Sequence, residues 1–283
     1  GGLFYTLLTL AHLFDGRAEI LPVANVGADL VDTVRSALRL PGFDLAGLRP
    51  VAPPNNHVFL TYHSPEVRDE VLVGLVPPVD AEHCRQAAGA QRLLVNLTSG
   101  RDIRLETLQA FRREFAAEIQ LDVHSLTLDI EPGGRRVLRR PADWQAWMAC
   151  ADWVQMNETE ARLLGGEGAG LEGFATGLLE LGPRGVLVTL AARGCLAAWR
   201  QGGDVLHLQV DAAVHPEPAY PTGCGDVFGA SFAFAQLSGA ATADAVCFAN
   251  AVASVKASFE PYAELARLRH LAAPYLQRWV PGA

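Results

Sequence analysis

From Arg92 onward the chain alternates short apolar runs with helical stretches, and that alternation constrains its fold more than any other feature. RLLVNLT (92–98) precedes ETLQAFRREFAAE (106–118), and IQLDV (119–123) leads, after a polar loop with PGGRR, to PADWQAWMACA (141–151). WVQM (153–156) leads into two helical segments between positions 158 and 181, and GVLVTLA (185–191) follows as a strongly β-branched run. The short runs have strand length and composition, and the intervening segments repeat their apolar residues at helical spacing. Strands joined through helices lie parallel, and a parallel sheet must be covered on both faces. The expected fold class is therefore α/β, with a mostly parallel central sheet between two helical layers. CLAAWR and VLHLQV read as later strands. The C-terminal third reads as helices over 224–237, 241–256 and about 262–279.

The first ninety residues have a different texture. EILPVANV (19–26) reads as a buried strand and 28–40 as an amphipathic helix, followed by Pro-rich turns in LRPVAPPNN (48–56). HVFLTYH (57–63) and EVLVGL (70–75), separated by SPEVRD, alternate like the arms of a β-hairpin. We expect this hairpin, about 55–76, to emerge as a small β lid. No linker composition divides the chain, so residues 1–283 are expected to form one domain.

Composition removes several classes of function. A net charge of −8 and a pI near 5.5 argue against non-specific nucleic-acid binding, which needs a basic face. No apolar run approaches the ~18 residues of a membrane span. The N-terminal GGLFYTLLTLAHLF has neither a basic leader nor a small-residue cleavage site, so no signal peptide is expected. The five cysteines (Cys84, Cys150, Cys195, Cys224, Cys247) form no CxxC pair, which speaks against zinc and disulfides and for a reducing, cytoplasmic setting. Lys256 is the only lysine, and no GxxxxGK[ST] occurs. Without a Walker-type lysine, a phosphate site would draw on backbone amides.

AYPTGCGDVFGASFAF (219–234) offers such a backbone. Gly223 and Gly225 let the chain turn sharply and approach a ligand. The apolar helix that follows presents unpaired amides at the positive end of its dipole, which makes an anion cradle. Asp226 heads that helix. An acid there is common and by itself unremarkable, but beside an anion cradle it also stands where an attacking hydroxyl must lose its proton. Phosphoryl transfer asks for that pairing of positioned anion and base.

With Pro221, Thr222, Gly223, Cys224, Gly225, Asp226 and Phe228, the segment resembles the late G-A-G-D or G-C-G-D turn of the ribokinase-like (PfkB) carbohydrate kinase family. The resemblance implies a ribokinase-like three-layer α/β/α sandwich with a small β lid. It gives Asp226 the role of catalytic base, and the amides of Gly223, Cys224 and Gly225 that of anion hole. ADWVQMNETEARLLGG (151–166) resembles the family's N-x-x-E element, so Asn157 and Glu160 would organise a magnesium-nucleotide, Glu160 acting on the metal indirectly. On spacing alone the same pair reads equally as an N-cap and capping box. GVLVTLAARGCLA (185–197) resembles the nucleotide-side V-T-x-G-x-x-G, with Thr189 and Gly194 matching and Ala191 where glycine is usual. Asn250 lies on the helix that borders adenine in relatives, where it reads equally as a polar residue of an amphipathic helix.

At the other end, Gly1, Gly2 and Thr6 resemble the sugar-side G-G-x-x-x-N, with Thr6 replacing asparagine, and NVGADLVD (25–32) resembles the V-G-x-D that follows it. Family members carry a further strand and part of the lid before this point. Tyr220 stands where the family has an aspartate associated with a monovalent cation, so potassium activation is not expected. Asp122, His124, Ser99, Gly100 and Arg101 fall at strand ends near the expected crevice, and His57 and His63 flank the lid.

The resemblance implies a kinase that uses ATP and Mg2+ to phosphorylate a hydroxyl of a sugar or sugar-like molecule. The alternatives are a nucleoside kinase of the same fold and a non-catalytic sugar or nucleotide binder. Lid-to-lid dimers in the family imply a homodimer. Neither a nucleic acid nor a membrane is expected as a partner.

Overall fold

The computed structural model describes residues 2–52, 54–63, 68–166, 168, 170–217, 219–259 and 264–279. The chain opens with helix α1 (Gly2–Phe14), then strand β1 (Ala24–Gly27), α2 (Val31–Ala37) and β2 (Leu48–Val51). The hairpin β3 (His57–Tyr62) and β4 (Arg68–Val73) leads through the short α3 (Ala81–Cys84) to β5 (Arg92–Asn96), α4 (Leu105–Glu114) and β6 (Glu118–Asp122). A second hairpin, β7 (Leu128–Ile130) and β8 (Arg136–Leu138), precedes α5 (Trp144–Met148) and β9 (Trp153–Asn157). Helices α6 (Glu158–Gly165) and α7 (Leu171–Leu178) are followed by β10 (Gly185–Thr189), β11 (Cys195–Gln201) and β12 (Asp204–Val210). Helices α8 (Cys224–Leu237), α9 (Thr242–Lys256) and α10 (Leu268–Trp279) complete it.

The central sheet has six strands in the order β12-β11-β10-β9-β6-β5. β5, β6, β9 and β10 run parallel, and β11 and β12 append an antiparallel edge. This is the mostly parallel, doubly covered sheet that the alternation requires. β10 shows why both faces are covered. Leu187 packs into a core with Tyr5, Phe228, Phe232 and Phe248, from α1, α8 and α9. Its neighbours Val186 and Val188 point the other way, into a core with Phe111, Trp147 and Leu178, from α4, α5 and α7.

Three expectations change. The predicted strand over 19–26 shrinks to β1, and Ile20 keeps only a single bridge to Phe43. The helix expected over 28–40 contracts to α2. LRPV, read as turn, is β2, which pairs in parallel with β1 in a separate two-stranded sheet. Pro50 lacks a donor, and a strand with one open edge tolerates that. Further elements were not anticipated. α1 is apolar nearly all round, so it has little amphipathic signal, and it buries Tyr5, Leu7, Leu10 and Leu13. β7 and β8 lie in a segment that reads as a polar loop, closed through Gly133 and Gly134 at positive φ.

The lid hairpin forms as expected, antiparallel from His57↔Val73 to Tyr62↔Arg68. It joins the body at the β7–β8 hairpin, where the Leu72 amide donates to the Gly134 carbonyl at 2.8 Å. The buried Arg136 guanidinium meets Glu70 of β4 at 3.3 Å.

Candidate active site

The parallel register aligns the carboxyl ends of four strands. Asn96 ends β5 opposite Asp122 of β6, and Asn157 of β9 lies opposite Thr189 of β10. In an open α/β sheet ligands gather at this edge. Helix α8 starts here. Its N-cap, Gly223, is left-handed at φ 83°, and a side chain would strike the Tyr5 ring, whose nearest atoms lie 2.6 Å from an added Cβ. Both the turn and the close approach require glycine at that position.

The turn amides are not equivalent. The Cys224 N–H donates to the Pro221 carbonyl at 3.1 Å, and the Val227 N–H to the Gly223 carbonyl at 2.9 Å. Cys224, expected to contribute to the anion hole, has therefore spent its amide on holding the turn. The amides of Gly223, Gly225 and Asp226 donate to no other residue's backbone carbonyl among the described residues. The Asp226 amide also serves its own carboxylate, so those of Gly223 and Gly225 are the freest for an anion.

The Asp226 carboxylate stays at the crevice. Its Oδ1 accepts a 2.8 Å hydrogen bond from Asn96 Nδ2. It lines a narrow cleft together with Thr6, Asn96, Gln120, Asp122 and Gln155. Gln155 Nε2 donates to the Gly225 carbonyl at 2.8 Å and Gln120 Nε2 to the Gly229 carbonyl at 2.9 Å, pinning the first turns of α8 to the sheet. Gly2 comes so close that any side chain there would meet Asp226 Oδ1 at 2.4 Å. Gly2 and Thr6 thus lie at the acid, as the sequence suggests. Gly1 falls outside the described residues.

Burial pushes the Asp226 carboxyl above the usual carboxylate range, while the Asn96 hydrogen bond and the charge of His124 pull against it. Asp122 is raised to about 8, by burial first and then by the charges of Asp226 and Glu160, against the pull of His124. Burial disfavours a charged His124, yet the hydrogen bond to Glu160 and the surrounding carboxylates outweigh it and raise its pKa. His124 Nδ1 lies 3.8 Å from Glu160 Oε1. The crevice floor is thus an acidic group with one cation set among three carboxyls.

Asn157 and Glu160 satisfy each other. The Asn157 Oδ1 accepts from the Glu160 amide at 2.9 Å, and Glu160 accepts from both the Asn157 amide at 2.8 Å and its Nδ2 at 2.7 Å. The capping-box reading is therefore realised at the head of α6. It also aims the buried Glu160 at His124. Gly194 has φ 88°, and an added Cβ would lie 1.9 Å from the Val210 carbonyl, so glycine is obligatory. Ala191, where relatives have glycine, adopts a left-handed φ of 52°. Thr189 ends β10 at the crevice edge. Asn250 is buried and donates from Nδ2 to the Asp211 carbonyl at 2.7 Å, which ties the segment after β12 to α9.

Other sequence candidates are otherwise engaged. The Ser99 and Gly100 amides donate to Asp102 Oδ2, and Arg101 pairs with Asp129 at 3.4 Å. His57 faces Asp29 at 3.3 Å and His63 faces Asp69 at 2.7 Å. The structure adds Asn96, Gln120 and Gln155 to the site. None of the three is a motif position, and only the register brings them beneath α8.

A three-layer sandwich with a β lid and a glycine turn above the strand ends defines the ribokinase-like fold. The identification can be narrowed: residues 136–259 match the profile of pfkB family carbohydrate kinases, and the chain resembles that family. A pyrophosphate-dependent kinase in the ribokinase family superposes with a TM-score of 0.77 at 18% identity, over 92% of this chain and 88% of that one. Ribokinase from Thermotoga maritima superposes with a TM-score of 0.74 at 20% identity, over 96% and 86%. Arabidopsis thaliana ribokinase, complexed with ribose and ATP, gives 0.72 at 19%, over 96% and 86%. At these identities the likeness establishes the fold. No curated protein matches the chain in sequence.

Proposed function

We propose that the protein is an ATP-dependent kinase that transfers the terminal phosphoryl group to a hydroxyl of a sugar or sugar-like alcohol. One observation carries this reading: the Asp226 carboxylate, steadied by Asn96, lines the cleft next in sequence to the Gly225 amide, which donates to no other residue's backbone carbonyl among the described residues. The acceptor hydroxyl would give its proton to Asp226 as its oxygen bonds to phosphorus and the donor's bridging P–O bond breaks. The amides of Gly223 and Gly225 then face the charge that develops on the transferred group. A carboxyl with a raised pKa is a stronger base than an ordinary one, so burial suits Asp226 to this role.

No cluster of three acidic, histidine or cysteine side chains among the described residues is arranged to cage a metal. The residues fit magnesium only as an ion borne by the donor's phosphates, which would offset their charge. Glu160 would then act through water, because its oxygens already serve Asn157.

A second donor has support of its own. The Asn250 side chain, expected to border adenine, is spent on the Asp211 carbonyl, and one similar structure is of a pyrophosphate-dependent kinase. The assay should therefore supply ATP and pyrophosphate in parallel, with sugars, polyols and nucleosides as acceptors. Asp226→Asn should retain donor binding and lose on the order of 10²-fold or more in turnover, the scale of a missing general base. Near-normal turnover in that variant would remove the proposal.

A further inference from the structure

Lys256 is a buried group that the proposed reaction leaves without a role. It is the last residue of α9, it is fully buried, and it is the only lysine of the chain. Its ammonium donates to the Tyr220 carbonyl at 3.1 Å and the Phe259 carbonyl at 3.4 Å. It also lies over the rings of Phe259, at 5.2 Å, and Tyr5, at 5.8 Å. No carboxylate among the described residues lies within ion-pair distance of it. A buried cation without a counter-charge is costly. Burial accordingly holds its pKa below the usual lysine value.

The surroundings show what this charge serves. Tyr220 immediately precedes the glycine turn, and its carbonyl also meets Cys224 Sγ at 3.6 Å. Its own amide donates to the Ala257 carbonyl at 2.9 Å, so residues 220 and 256–257 clasp each other. Tyr5, on which the ammonium rests, is the ring that Gly223 packs against. The ammonium therefore lies at the carbonyl end of α9, which favours a cation, directly behind the amide end of α8, which favours an anion.

We propose that Lys256 is a tethered monovalent cation for the phosphate turn: its ammonium, held by the carbonyls of Tyr220 and Phe259, fixes residues 220–224 and supplies the positive charge that an anion at Gly223–Asp226 faces. It is a positioning residue. The bound phosphate provides a counter-charge that no described carboxylate supplies, and a free potassium or ammonium ion is not needed because the cation is covalently attached. The inference rests on the reading of this turn as a phosphate site, though not on the identity of donor or acceptor.

The test is calorimetric titration of the full chain with inorganic pyrophosphate and with ADP, in potassium, ammonium, sodium and choline chloride at equal ionic strength. Wild-type affinity should be the same in all four salts. Lys256→Met keeps the length and loses the charge, and it should bind ~10-fold or more weakly in every salt. Lys256→Ala leaves a carbonyl-lined space; it should bind as weakly in choline and recover in ammonium or potassium chloride. Recovery by a small cation is a readout that a packing role would not give. Affinity of Lys256→Met within ~2-fold of wild type would overturn the proposal. So would a Lys256→Ala protein that melts like wild type yet binds weakly in every salt. Should Lys256→Ala not fold, Lys256→Met decides. A wild-type protein that binds pyrophosphate with this salt pattern but transfers no phosphate would defeat the kinase reading alone. One that binds neither anion would defeat both.

Discussion

At the residue scale the chemistry turns on how Asp226 is held ionised in a buried place. Two neighbours favour its charged form: Asn96 by hydrogen bond and His124 by charge. As a base Asp226 works when deprotonated, so the acid limb of a kcat/KM profile should lie above the ordinary carboxylate range. Removing either neighbour takes away a downward pull and raises the pKa further. Asn96→Ala and His124→Gln should therefore each move that limb to higher pH, measured on whichever acceptor supports turnover. A limb that stays in place in both variants would mean that Asp226 is not the group being titrated. Of these residues, Asp226 was legible because the glycines around it announce a turn. Asn96 was not, because an asparagine closing a short apolar run has no local signature.

At the scale of elements, what could be read was whatever has a period. β5, β6, β9, β10 and the helices between them are visible as alternating patterns, and α8 begins and ends where its apolar run does. α1 escaped notice because a helix buried on most sides loses its polar stripe, and β2 because Pro50 reads as a breaker. The turn between β10 and β11 was half legible. Gly194 matches a motif and is sterically compelled, while Ala191 breaks the motif and is left at φ 52°. A non-glycine residue there carries a cost of about 1–2 kcal/mol, partly offset by its lower entropy in the unfolded chain. Ala191→Gly should stabilise the protein by about 1 kcal/mol or less, seen as a rise of about 2 °C in the melting midpoint. A fall in the midpoint would show that the turn relaxes in solution.

At the scale of the whole molecule, two cores share one sheet, and β10 is the partition between them. We propose that residues 1–283 unfold as one unit, because neither core keeps its floor when the sheet is lost. Leu187→Ala cuts into the core beneath α8 and Val188→Ala into the core beneath α4 and α5. The first should cost about 2–5 kcal/mol and the second about 2 kcal/mol. Each should lower the midpoint of one shared transition, with tryptophan fluorescence and far-ultraviolet circular dichroism changing together. Separate midpoints would indicate two independently folding parts.

The seclusion of Lys256 also bears on handling the molecule. With the one ε-amine of this stretch of chain sealed under an aromatic pair, acylating dyes and surface-coupling reagents find no side-chain amine at the surface. Amine-directed coupling therefore leaves the side chains around the crevice unmodified.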